Sequence, residues 1–176
     1  MATWTIAPTH SEVQFKIRHL LISTVSGSFK KFEGTVESER DDFSDAKIQF
    51  TAEAASVFTN NEKRDARLKS DDFFNAEKYP KITFVSTEVI TEGKDEYMLK
   101  GNLTMRDVTK PVRLGVDYGG TTVDSYGQTK AGFEITGKID RQDYGLKWSA
   151  ITEVGGIVVS DDVRLIMSIQ IVKQSS

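Results

Sequence analysis

Glu12-Val13-Gln14-Phe15-Lys16-Ile17-Arg18 places an apolar side chain at every second residue, with charged or amide side chains between them. Successive side chains of a strand point to opposite faces, so Val13, Phe15 and Ile17 share a buried face while the other face meets water. The same period returns along the chain. Ile48 and Phe50 alternate with Lys47, Gln49 and Thr51, and Val163, Leu165, Met167, Ile169 and Ile171 form one apolar face near the C-terminus. Residues 82–90, 97–103, 112–118 and 131–139 are further alternating or β-branched runs, divided by turn chemistry at residues 92–95, 119–120 and 126–127. About eight strands of this kind predict an all-β chain closed as an antiparallel barrel or stacked as a sandwich.

One segment departs from the pattern. Residues 59–79 are charged and poor in β-branched side chains. Thr59-Asn60-Asn61-Glu62 has capping-box spacing, which predicts a short helix over residues 63–69 with Thr59 as cap and Asp65–Lys69 as an i,i+4 pair. Asp71 or Asp72 is placed to cap another turn carrying Phe73 and Phe74, before Tyr79-Pro80 restarts extended structure.

Composition narrows the function classes. A chain of 176 residues suits a single domain over residues 1–176. The absence of cysteine excludes disulfides, thiolate metal sites and a cysteine nucleophile. A net charge of −3 lacks the positive excess of a duplex-binding module, so no nucleic-acid partner is expected. No apolar run approaches the roughly 20 residues of a membrane span. Met1 leads directly into strand-like sequence without a signal peptide, so the expected location is cytoplasmic, or periplasmic if a leader was removed.

Catalytic signatures are sparse. The chain has no GxSxG elbow, P-loop, GxGxxG or HExxH, and its two histidines, His10 and His19, flank one strand where turn or strand-end packing accounts for them. No cofactor or metal is called for, and no enzyme activity is expected. Lys63, Arg64, Arg67 and Lys69 suit a solvated helix face balanced by Glu62, Asp65 and Asp71, with anion binding the sharper alternative. Trp148 reads as core or rim packing rather than a stacking platform.

The alternating faces define a candidate lining. It comprises Val13, Phe15 and Ile17, then Ile48, Phe50, Phe84 and Leu99. Leu114, Val116, Phe133, Ile135, Leu165, Met167 and Ile169 complete it, with Phe29 and Phe32 near one end. A one-residue register slip would turn any of these strands inside out.

Several stretches resemble the YceI-like family, lipocalin-fold bacterial proteins that bind polyisoprenoid lipids. They are Trp4-Thr5-Ile6-Ala7-Pro8-Thr9-His10-Ser11-Glu12-Val13-Gln14-Phe15, Arg18-His19-Leu20, Val25-Ser26-Gly27-Ser28-Phe29 and Phe32-Glu33-Gly34. The helical segment 64–75 with Tyr79-Pro80-Lys81-Ile82-Thr83-Phe84, the run 101–112 and Arg141-Gln142-Asp143-Tyr144-Gly145-Leu146-Lys147-Trp148 are similar as well. Two departures stand out: Arg67 where the family often has histidine, and Asp107 where it commonly has glycine in a turn. Aspartate tolerates a left-handed backbone better than most residues, so the turn is expected to survive.

The resemblance implies an extended, eight-stranded lipocalin-like barrel with a short helical insert. Its bore would hold a long isoprenoid lipid, a polyprenyl quinone or polyprenyl phosphate, for transport or storage, with Arg64 and Arg67 beside the headgroup. Alternatives are a binder of another amphiphile such as a fatty acid or amide, an enzyme acting on an isoprenoid lipid, and a filled barrel working through partner contacts. A homodimer through exposed faces is also open.

Overall fold

A computed structural model of the chain describes residues 2–19, 23–71, 73–146 and 159–174. Among them, eleven strands join in one antiparallel sheet. The strands are β1 (Ala2–Ile6), β2 (Glu12–His19), β3 (Ser23–Phe29), β4 (Phe32–Ser38), β5 (Lys47–Glu53) and β6 (Val57–Phe58). They continue as β7 (Lys81–Gly93), β8 (Glu96–Met105), β9 (Val108–Val123), β10 (Thr129–Asp140) and β11 (Val159–Lys173).

The first six are pieces of three longer rows. β1 and β2 both pair antiparallel with β11, β4 and β3 pair with β1 and β2 respectively, and β5 and β6 pair with β4 and β3. The eleven segments therefore make eight rows, each bonded to the next in sequence, and β11 returns to the first. This is a closed up-and-down barrel, the all-β architecture expected; closure pairs its rows on both sides except at β6, which pairs with β3 alone among the described residues.

Local chemistry explains the interruptions. Pro8 has no N–H for a ladder, and the chain turns through Pro8–His10 between β1 and β2. Ser11 repairs the gap: its hydroxyl accepts from the Gln170 N–H at 2.9 Å, while the Ala7 N–H donates to the Gln170 carbonyl at 2.9 Å. The breaks in the next two rows face each other. The Lys30 N–H donates to the Ser56 carbonyl at 3.1 Å, and the Glu53 N–H donates to the Lys31 carbonyl at 2.9 Å. Pairing of β5 with β7 stops at Glu53 and Lys81. Between β6 and β7 the chain leaves the wall and forms α1 (Glu62–Lys69).

The helix forms where the sequence places it, with a different cap. Asn61 is the N-cap, its Oδ1 accepting from the Arg64 N–H at 3.0 Å. Thr59 is committed elsewhere: its N–H and hydroxyl donate to Asp65 Oδ1 at 2.8 and 2.5 Å. Thr59 and Asp65 are both buried, and a buried carboxylate needs donors close by. Asp65 therefore turns inward, and no Asp65–Lys69 pair occurs among the described ion pairs. Asp71 starts no second helix among the described residues; residues 70–71 and 73–79 run through bends and turns, and Asp72 lies outside the described residues.

The turn between β8 and β9 is a two-residue loop, because Met105 pairs with Val108. Arg106 and Asp107 have φ of 51° and 64°. Both are left-handed, the backbone that matches strand twist in so short a hairpin, and Asp107 adopts it without glycine.

Candidate ligand-binding cavity

Inward faces of the barrel enclose a cavity of ≈190 Å³ among the described residues. Val13, Phe15 and Ile17 reach it from β2, Phe29 from β3, Ile48 and Phe50 from β5, Phe84 from β7 and Leu99 from β8. Leu114 and Val116 of β9, Phe133 and Ile135 of β10, and Leu165, Met167 and Ile169 of β11 complete the set read from alternation. The register joins them into belts: Phe50 lies opposite Phe84, Phe133 opposite Ile169, and Phe15 opposite Leu165. Phe32 is the exception. It packs beside Phe50, ring centroids 6.1 Å apart, without lining the cavity.

Every described lining residue is hydrophobic except Thr35 and Tyr97. The Tyr97 hydroxyl donates to the Asp42 carbonyl at 2.5 Å, so its polar end is occupied. Burial, with Asp42 and Asp95 nearby, raises its pKa above the ordinary phenol value. Such a wall attracts a guest by dispersion and by removal of apolar surface from water. Among the described residues no cluster of histidine or carboxylate side chains could hold a metal ion, and none of the described helices is long and apolar enough to cross a membrane.

Two features at the barrel ends were not legible from periodicity. At the β4–β5 end, Phe43 folds inward from a polar loop with φ of 64° and is 5% exposed. Its ring sits edge-on to Trp4, Phe133 and Tyr118, centroids 5.1, 5.2 and 5.7 Å away. Asp45 braces that loop, accepting from the Ser38 hydroxyl at 2.7 Å, the Glu39 N–H at 2.8 Å and the Arg40 N–H at 3.2 Å. Those donors hold its carboxyl down at about 2. A lone aromatic inside Asp41-Asp42-Phe43-Ser44-Asp45 is the signal that could have found it.

At the insert end, Phe73 and Phe74 line the cavity and meet edge-to-face at 4.7 Å. Phe74 continues to Phe29 and Phe29 to Phe15, each at 5.6 Å. Arg106 fastens this segment to the β8–β9 turn. Its guanidinium donates to the carbonyls of Asp71 at 2.5 Å and Phe73 at 2.9 Å, and pairs with Asp71 Oδ1 at 3.3 Å. Arg106 also donates to the Gly145 carbonyl at 3.5 Å; the preceding residue, Tyr144, is 2% exposed, and its hydroxyl has no hydrogen-bond partner among the described residues. Burial, then Asp143, pushes its pKa to about 12.

Neither arginine expected beside a headgroup lines the cavity. Arg64 turns back onto Thr59, donating to its hydroxyl at 2.8 Å and its carbonyl at 2.7 Å. Arg67 is exposed in the last turn of α1. Their helix packs on β6, and its Leu68 is fully buried. His10 is exposed on the turn before β2 and outside the cavity; the side chain of His19, and Trp148, lie outside the described residues.

Comparison with known proteins matches this chain to a family. The family model for a YceI-like domain matches residues 4–171. A UPF0312 protein of Staphylococcus aureus strain MSSA476 is 36% identical over 165 residues, spanning 93% of this chain and 94% of the relative. The crystal structure of a Campylobacter jejuni YCEI protein superposes with a TM-score of 0.76 at 34% identity, covering 92% of this chain and 91% of that one. Burkholderia cenocepacia BcnA gives 0.82 at 21% identity, with 94% and 98% covered. A polyisoprenoid binding domain from Saccharophagus degradans, implicated in plant cell wall breakdown, gives 0.70 at 15% identity, with 96% and 97% covered. These last two share the fold.

Proposed function

We propose that this chain, which belongs to the YceI-like family, is a non-catalytic carrier or store for a long isoprenoid lipid such as a polyprenyl quinone or polyprenyl phosphate. The observation that carries the reading is the cavity wall. A bore lined mainly by valine, leucine, isoleucine, methionine and phenylalanine, with the phenol of Tyr97 already hydrogen-bonded, suits an uncharged hydrocarbon chain. Burial of such a chain contributes roughly 25 cal/mol per Å² of apolar surface, so affinity grows with chain length and needs few polar contacts. The name of the Saccharophagus degradans domain, which shares this fold, points to the same ligand class.

The test is mass spectrometry of the organic extract from protein purified out of a bacterial host, with native mass spectrometry of the intact complex. A stoichiometric polyprenyl quinone or phosphate is the expected result. A stoichiometric fatty acid would overturn the isoprenoid assignment in favour of a general amphiphile binder. A protein that carries no lipid and takes up none when offered would overturn the carrier reading.

A further inference from the structure

Four glycines of the barrel wall, Gly27, Gly34, Gly101 and Gly137, fall in phase with the inward residues of their strands. Each is overlaid by a large side chain from the neighbouring row. A Cβ built on Gly27 would lie 2.3 Å from Cζ of Phe15, and one on Gly101 would lie 2.4 Å from Cζ of Phe84. One on Gly137 would lie 2.4 Å from Cδ2 of Leu114, and one on Gly34 would lie 2.6 Å from Cδ1 of Ile6. Gly27 and Gly137 face Phe15 and Leu114 directly in register, whereas Gly101 is diagonal to Phe84. Real Cβ atoms do not approach that closely, so each large side chain occupies the space its neighbour's Cβ would take. A strand glycine marks such a close approach.

The consequence concerns the bore. Phe15 and Phe84 both line the cavity. Laid across bare backbone, their rings add apolar wall while projecting less toward the axis than they would over an alanine. We propose that Gly27 and Gly101 are specificity determinants: by letting Phe15 and Phe84 lie against the wall, they keep the bore wide enough for a methyl-branched chain. An alanine at either position would tilt the ring inward and leave a channel that still accepts an unbranched chain. The inference rests on the isoprenoid-carrier reading and adds the feature that separates isoprenoid from straight acyl chains.

Gly27→Ala is the cleaner variant, because its three nearest atoms are all Phe15 ring atoms, whereas a Cβ on Gly101 also meets the Val85 carbonyl oxygen at 2.6 Å. The probes are geranylgeraniol and hexadecan-1-ol, which share main-chain length and differ in four methyl branches and four double bonds, each presented from a cyclodextrin carrier, with the saturated, methyl-branched phytanol as the control that removes the double bonds. Wild type is expected to bind both. Gly27→Ala should weaken geranylgeraniol by about tenfold or more, the usual discrimination for one misplaced methyl or methylene in an apolar pocket. Hexadecan-1-ol should change by less than about threefold on the same scale. Adding Phe15→Leu to Gly27→Ala should restore the branched probe by shortening the displaced side chain. A folded Gly27→Ala protein that binds both probes as wild type does, or loses both equally, overturns the inference and leaves the carrier reading standing. Wild type that binds neither probe overturns the carrier reading, and the inference with it.

Discussion

Replacing Phe43 by alanine removes the ring that Trp4, Phe133 and Tyr118 surround at one end of the barrel. The side chain is 5% exposed and belongs to the packed core, so the loss combines transfer of a phenyl group with a cavity its neighbours only partly refill. Phenylalanine-to-alanine changes in such sites cost roughly 3–5 kcal/mol. For a domain of this size, that lowers the melting temperature by roughly 6–20 °C. The backbone supplies a second test. With φ of 64°, position 43 holds a left-handed conformation that costs a residue bearing a Cβ about 1–2 kcal/mol. Alanine keeps that strain and glycine relieves it. Phe43→Gly should therefore be at least as stable as Phe43→Ala, the reverse of the order glycine and alanine show in an ordinary strand. Thermal melts followed by far-UV circular dichroism measure both differences. A Phe43→Ala melt within about 2 °C of wild type would refute the packing argument, given the per-residue scaling used. A glycine variant clearly below the alanine variant would refute the strain argument.

Other expectations follow from the same geometry. Phe133→Asp or Phe50→Asp places a carboxylate in the cavity wall and should abolish lipid retention in protein that still melts cooperatively; a folded variant extracted with full lipid would contradict the inward assignment. The Asp45 carboxyl is depressed to about 2, so its contribution to stability is complete above its unfolded value near 4 and is lost as pH falls from there through about 2. Melts of Asp45→Asn against wild type should differ most above pH 4 and converge at the acid end; a pH-independent gap would show that this carboxylate does not brace the Phe43 loop. Arg106→Ala should cost about 1–3 kcal/mol by removing charged hydrogen bonds to the Asp71 and Phe73 carbonyls, and hydrogen exchange at the Phe73 and Phe74 amides should accelerate. Unchanged protection would mean the segment is held without it. Tyr144→Phe removes a buried hydroxyl that has no partner among the described residues, and is expected to leave stability unchanged or raise it by about 1 kcal/mol; a marked drop would mean the hydroxyl is satisfied.

Local chemistry determined much of this protein. Side chains alternate along a strand whatever the strand pairs with, so Val13, Phe15 and Ile17, and Leu165, Met167 and Ile169, declare a shared apolar face before any partner is known. The charged run at residues 63–69 likewise declares a helix, because nothing in it favours a pleated, half-buried surface. Tertiary structure decided what depends on groups distant in sequence. Thr59 is free to cap the helix only if Asp65 is not buried beside it, and Asp65 is buried. Phe43 sits in a loop, where no period reports orientation, and only the rings of Trp4, Tyr118 and Phe133 explain why it turns inward. Arg64 carries the same charge whether it faces a guest or its own Thr59, and only the fold, which puts the Thr59 hydroxyl and carbonyl within reach of its guanidinium, shows that it faces Thr59. The width of the bore belongs to the same class: Gly27 and Phe15 are ordinary strand residues in the sequence, and the register that lays one across the other exists only once β2 and β3 have paired.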